Sequence, residues 1–142
     1  MHHNHYIHRD IKLEILLLGA NNEYLLADFG TTAHHTSTAP RTTCTGTPLY
    51  MAPEIMQEGH AHDKRADNYS IGKVLYELFV GINKVVGFKK DGTISWPKEA
   101  AAIPQAAKTL IAGMLKKKED RISLEDVLKN PFLETVANPS SI

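Results

Sequence analysis

The sequence has one cysteine, Cys44, among 142 residues. No internal disulfide can form, which suits a reducing compartment and sets the expectation of a cytoplasmic, or else nuclear, protein. Neither charge is in excess: Lys plus Arg and Asp plus Glu both number 16, for a net charge of zero. No global field draws in nucleic acid or an anionic membrane, so both are disfavoured as partners. No apolar run approaches the roughly 18 to 20 residues that span a bilayer, and Met1 to Asp10 has no apolar centre of signal-peptide length. Internal repeats are also missing. The start is rich in histidine instead: His2, His3, His5 and His8. Their spacing matches no recurrent metal-ligand pattern, so a polar turn is expected there.

The length suits a single folding unit with a real core. From Glu14 to Ala27, the runs Ile15 to Leu18 and Tyr24 to Ala27 flank Gly-Ala-Asn-Asn, residue types that tolerate a tight turn, and this predicts a β-hairpin. Thr31 to Thr47 is rich in Thr, Ser and His without apolar period and predicts a long loop, the kind that carries function. From Asp67 to Val80, Ile71, Val74, Leu75, Leu78 and Phe79 recur at helical spacing, with Lys73 and Glu77 as the chief polar residues of the other side. That is the expected core helix.

Gly81 to Pro97 carries three glycines and a proline and reads as irregular. Leu110, Ile111, Met114 and Leu115 repeat the helical spacing, with Lys116 to Lys118 in the expected last turn, where cations suit the helix dipole. A short last helix should begin after Ser123, a good N-cap, and stop at Asn130-Pro131, leaving a frayed tail. The expected fold is mainly α (α+β): one small hairpin, a long loop, then helices.

Three segments in order carry a resemblance. "HRDIKLEI" (8–15) resembles the catalytic loop of protein kinases, "ADFG" (27–30) their metal-binding motif, and "GTPLYMAPEI" (46–55) the end of their activation segment. "ADNYSIGKVLYEL" is similar to the central buried helix of that family, and "LIAGMLKKKEDRISLEDVLKNPFL" to its last two helices. The resemblance runs from Met1 to about Leu133. It implies a partial kinase domain over 1–133, the large lobe with its activation loop, and a tail over 134–142.

Phosphoryl transfer needs a placed hydroxyl, a carboxylate for its proton, and cations for the phosphate oxygens. The resemblance implies Asp10 as that carboxylate and Lys12 as the group reaching the phosphate. With Thr47 it points to the serine/threonine branch. It implies ATP and magnesium as cofactors, with Asp28 as a metal ligand and Leu17 and Ala27 lining the adenine pocket. Arg9 would pair with a phosphate on Thr43, with Thr42 and Thr45 as competitors. Glu54 and Arg121 would form a buried ion pair, and Asp67 would cap the catalytic-loop backbone.

Two departures stand out. At Ile15 the family has an asparagine that binds a second magnesium, and isoleucine offers no oxygen. None of the nine glycines forms G-x-G-x-x-G, and the small lobe the family places before the catalytic loop is not represented, as if Met1 were an internal methionine of a longer chain. A large-lobe helix that in the family packs on the central helix is not represented either, so Leu75, Leu78 or Phe79 should form an exposed patch, and the chain should be marginal and aggregation-prone. Three readings follow: a kinase large lobe acting within a longer chain on protein substrates, a degenerate docking module that binds a kinase or another complement over the core helix, or a decayed product. The intact Glu54 and Arg121 argue against the last.

Overall fold

A computed structural model describes residues 1–34, 46–57 and 62–133. Its elements in chain order are β1 (Tyr6–Ile7), β2 (Leu16–Leu18), β3 (Tyr24–Leu26), β4 (Ala33–His34), α1 (Lys64–Val80), β5 (Gly87–Phe88), β6 (Ile94–Ser95), α2 (Gln105–Met114) and α3 (Leu124–Leu128). Five single 3₁₀ turns join them, among them His2–Asn4, Leu13–Ile15 and Pro48–Tyr50.

The hairpin expected around Gly19 is β2–β3, antiparallel, with Leu16 opposite Leu26, Leu17 opposite Leu25 and Leu18 opposite Tyr24. It is not the sole strand pair. β1 pairs with β4, Ile7 opposite Ala33, and β5 with β6, Phe88 opposite Ile94. Both corrections have one cause: strands of two residues are too short to show an alternating pattern. Ala33 and His34 thus leave the expected long loop, and Gly81 to Pro97 is not wholly irregular. Its turn is set by Asp91, whose carboxylate accepts from both the N–H and the hydroxyl of Thr93.

α1 starts three residues before Asp67 because Asp63 caps it, accepting from Arg65 N at 2.8 Å. Gly81 ends it, donating to Glu77 O at 2.8 Å. The expected polar side of this helix does not face solvent: Lys73 and Glu77 are buried. Leu78 at 59% and Phe79 at 38% are exposed, as expected of an uncovered patch, while Leu75 packs against the core. Glu77 turns inward because it has partners there: the Tyr50 hydroxyl donates to it at 2.5 Å and Asn83 N at 2.8 Å. Burial lowers the pKa of Lys73, with Glu77 opposing.

The main core packs Tyr69, Tyr76 and Val80 of α1 against Ala107, Ile111 and Leu115 of the α2 region. Gly72 sits at the crossing. A Cβ there would stand 2.8 Å from Met114 Cβ, so the close approach requires glycine. A second cluster, Ile11, Tyr50 and Val74, fastens the loop after β1 and the turn Pro48–Tyr50 onto α1. Lys116 to Lys118 lie past the end of α2 rather than in its last turn, because the chain turns there to bring in Arg121. α3 begins after Ser123, whose hydroxyl accepts from Asp126 N at 3.1 Å. The tail and its expected fraying lie outside the described residues. Among the described residues no helix is long and apolar enough to cross a membrane.

Candidate active site

β1 ends at Ile7, and the chain then turns through Arg9, a residue with φ of +73°. A side chain rarely adopts that conformation unless its surroundings hold it. They do here: Arg9 N donates to Asp67 Oδ1 at 2.9 Å and His8 N to Asp67 Oδ2 at 2.8 Å. Arg9 Nε donates to Thr31 O at 2.5 Å, and the Thr31 hydroxyl donates to His8 O. Asp67, on the first turns of α1, thus satisfies two backbone donors of the loop that carries Asp10.

His8 is fully buried and its ring links two segments. Nε2 donates to Ala27 O at 3.1 Å, while Nδ1 accepts from Asp10 N at 3.4 Å. The Phe29 ring lies 5.4 Å from it. Ala27 N donates to Ile15 O at 3.0 Å, so the segment bearing Asp28 is tied to the loop bearing Asp10 at two points.

Asp10, Lys12 and Thr47 come together from both sides of a gap of 37 residues. Asp10 Oδ1 accepts from Thr47 N and from Thr47 Oγ1, each at 2.7 Å. Lys12 Nζ stands 3.1 Å from Asp10 Oδ2 and donates to Thr47 Oγ1 at 3.2 Å. Burial pushes the Asp10 carboxyl up, but the bonds from Thr47 and Lys12 prevail and hold it below the usual carboxylate range. Lys12 is raised, chiefly by its bond to Asp10 and at longer range by Glu14 and Asp28. Asp28 is therefore within electrostatic reach of the same ammonium.

Asp28 has φ of +54° and is exposed; its Oδ1 accepts from Gly30 N at 3.3 Å. Among the described residues no three His, Cys, Asp or Glu side chains converge as a cation site. Asp28, an exposed carboxylate within electrostatic reach of Lys12, suits one hard cation whose other ligands come from phosphate oxygens. Ile15 is buried and 6% exposed, and its carbonyl is engaged by Ala27. The residues present fit one such ion and do not fit a second at position 15.

The strand register puts Leu17 and Ala27 on one face of the hairpin, beside Leu25. Leu17 is 51% exposed. An open apolar hollow of about 460 Å³, lined by Met1, Tyr6, Leu26, Phe29 and Thr32, is separate from the Asp10 cluster. Thr43, with Thr42 and Thr45, lies outside the described residues, so Arg9 is placed here without its expected phosphate partner.

Glu54 and Arg121 meet side by side: Nη1 to Oε1 is 2.7 Å and Nη2 to Oε2 is 2.9 Å. Arg121 is buried, and its remaining donors go to Arg65 O and, from Nε and Nη2, to Lys116 O. The Tyr69 ring lies 5.0 Å beneath the guanidinium. Burial raises the Glu54 carboxyl and Arg121 more than reverses this, leaving it lowered; Asp63 is likewise lowered against its burial by Lys118 at 2.8 Å.

These shifts set an acid limb. Asp10, Glu54 and Asp63 have folded pKa values below their unfolded ones, so each contributes stability that is present above its ordinary value of about 4 and is lost as pH falls through the folded value. The melting temperature should hold from pH 7 to about 5 and drop steeply below about 4. A flat melting temperature down to pH 3 would contradict these assignments.

Some site contacts carry no sequence signal. His2, read as part of a polar turn, reaches Asp67 Oδ2 at 2.7 Å. Tyr50 holds the turn after Thr47 by its bond to Glu77, and burial together with that carboxylate raises its pKa, which keeps the donor proton on. Neither contact follows a local period, since the partners are 65 and 27 residues apart.

The protein kinase domain profile matches residues 1–133, the stretch that holds the joined Asp10, Lys12 and Thr47. The chain belongs to the protein kinase family. It is 34% identical over 147 residues to an Aurora kinase of Dictyostelium discoideum, covering 99% of this chain and 38% of that protein. With serine/threonine-protein kinase Aurora-1 of Arabidopsis thaliana the identity is 37% over 150 residues, 99% of this chain and 50% of that protein. With serine/threonine-protein kinase 36 of Mus musculus it is 35% over 143 residues, 94% of this chain and 11% of that protein. The chain thus spans half or less of the length of these relatives.

Proposed function

We propose that residues 1–133 are the large-lobe part of a serine/threonine protein kinase domain, with 134–142 as its tail, acting on protein hydroxyls within a longer chain in the cytoplasm or nucleus. The observation that carries this is the convergence of Asp10, Lys12 and Thr47 within 3.2 Å of one another. Magnesium, when bound with ATP, neutralises charge on the phosphate oxygens, and Asp28 is the residue suited to hold it. Leu17 and Ala27 offer an apolar face for the adenine. Arg9 would answer a phosphate on Thr43.

Asp10 would accept the hydrogen bond of an incoming serine or threonine hydroxyl and so aim its oxygen. Its lowered pKa makes it a weak base, so its main contribution is orientation, with the hydroxyl proton passing to it as the oxygen bonds to the γ-phosphorus and the bond from that phosphorus to the bridging oxygen breaks, ADP leaving with the electron pair. Thr47 keeps this carboxylate facing one way, and Lys12 stands ready for the phosphoryl oxygens. These residues alone supply neither a glycine-rich loop nor its partner lysine, so turnover is expected only with the rest of the domain.

A second reading rests on Ile15. A buried hydrocarbon at that position favours a docking module without phosphoryl transfer, its complement covering the exposed Leu78 and Phe79. The two separate in one assay on the protein purified from its own cells. Transfer from Mg-ATP to a serine- and threonine-containing peptide library, falling at least about 100-fold in Asp10→Asn, supports the kinase reading. Equal rates at background for both proteins, with the fold intact, would leave the docking module.

A further inference from the structure

Lys73 is 5% exposed, and its ammonium forms no hydrogen bond and no ion pair among the described residues. An interior cation left in that state is costly, and a ligand that paired with it would recover much of the cost. Glu77, one turn on, is the carboxylate whose charge is felt at Lys73. Both of its oxygens are engaged elsewhere, Oε2 by the Tyr50 hydroxyl at 2.5 Å and Oε1 by Asn83 N at 2.8 Å. It tempers the lysine's charge without bonding to it.

Place in the fold selects the ligand. Ser70, Lys73 and Glu77 fall at i, i+3 and i+7 of α1 and so share one side of the helix. The outer two both hold Tyr50, Ser70 by donating to its carbonyl at 2.9 Å and Glu77 by accepting from its hydroxyl. Lys73 therefore lies under the turn Pro48–Tyr50. Tyr50 N donates across that turn to Thr47 O at 2.9 Å, and Thr47 bonds the Asp10 carboxylate. A single 3₁₀ turn thus separates the carboxylate that would aim an acceptor hydroxyl from the ground above Lys73. An extended peptide rises about 3.3 Å per residue, so with its hydroxyl at Asp10 a residue one or two places away comes over this turn.

We propose that Lys73 is a specificity-determining residue, pairing with an aspartate or glutamate one or two residues from the serine or threonine that is phosphorylated. The four-carbon stem stays packed on α1 while the ammonium swings to the incoming carboxylate. That carboxylate supplies the acceptor that Glu77 does not, in surroundings where a charge-assisted bond is strong. The inference rests on the reading of Asp10 as the residue that receives the hydroxyl, and it narrows the substrate class to acid-flanked serine or threonine peptides.

In the test, the protein purified from its own cells is offered serine peptides that differ only in carrying Asp, Asn, Ala or Lys at one of the two places on either side of the serine. At one of these places Asp should raise kcat/KM over Asn by at least about tenfold, with Lys the poorest. Lys73→Met removes a buried unpaired charge, so it should fold at least as well, and it should bring the Asp-to-Asn ratio to about one; Lys73→Gln serves should methionine disturb the packing. Lys73→Arg should keep most of the preference. Equal rates for Asp and Asn peptides in the wild type, or an Asp preference that survives in Lys73→Met, would overturn the proposal. If no peptide is phosphorylated, the kinase reading has failed, and fluorescence anisotropy with the same peptides decides the pairing separately. Asp-selective binding that is lost in Lys73→Met upholds it, and equal binding of Asp and Asn peptides overturns it.

Discussion

Replacing Arg121 with leucine should cost about 3 to 5 kcal/mol of stability, the largest single loss expected in this chain. The side chain is buried, and each of its five N–H donors has an acceptor: two on Glu54, two bonds to Lys116 O and one to Arg65 O. Leucine fills comparable space and satisfies none of them. Glu54 would keep its charge without a partner, and Lys116 O, which lies past the end of α2, would lose both bonds from Arg121. Since burial alone raises the Glu54 carboxyl, removing Arg121 should let it protonate at higher pH, so the gap between variant and wild type should narrow on acidification. Urea denaturation checks this at pH 7 and pH 4. The double variant Glu54→Gln, Arg121→Leu should recover part of the loss, because the uncompensated charge is gone. A single variant within about 1 kcal/mol of wild type would mean that the pair is effectively solvated.

What the sequence could show depended on range and on surroundings. The β2–β3 hairpin was legible because its turn residues sit next to its apolar runs, and α3 because Ser123 is beside the helix it caps. α1 was legible as a helix but not in its facing. A periodicity argument assumes that the polar side meets water, and α1 meets Tyr50 and Asn83 there instead, so Glu77 and Lys73 are buried. The two shortest strand pairs have no period to read. For the candidate site, spacing alone indicated none of the convergences: Thr47 lies 37 residues from Asp10 and Arg121 67 from Glu54. The Glu54–Arg121 pairing came from the family resemblance, which named Thr47 with Lys12 but gave no bond from Thr47 to Asp10. His2 came from neither source, since a histidine in a polar turn looks the same whether or not a carboxylate waits 65 residues on.

The site is held by a small number of backbone positions, and Gly46 is the one whose change should be felt most at Asp10. Its φ is +127°, where a side chain is strained, and an added Cβ would stand 2.6 Å from Arg9 O. A backbone oxygen cannot swing aside, and Arg9 is itself fixed by Asp67 and Thr31. Gly46→Ala should therefore displace the 46–47 segment and draw Thr47 away from Asp10, breaking two bonds of 2.7 Å. Downstream, Tyr50 is pinned by Glu77, and its carbonyl takes the Ser70 hydroxyl at 2.9 Å, so the disturbance should stop there. The expected cost is about 1 to 3 kcal/mol, with α1 and α2 intact. Asp10 would then lose two of the interactions that hold its pKa down, so its titration, followed by carboxyl carbon shifts, should move up toward the usual range near 4. A group whose folded and unfolded pKa values converge no longer makes stability depend on pH, so the acid limb of the variant should be shallower in proportion. Thr47→Val removes only the hydroxyl bond without backbone strain and should give a smaller upward shift. If Asp10 titrates in Gly46→Ala as it does in the wild type, Thr47 is not what holds the carboxylate, and Lys12 must do so alone.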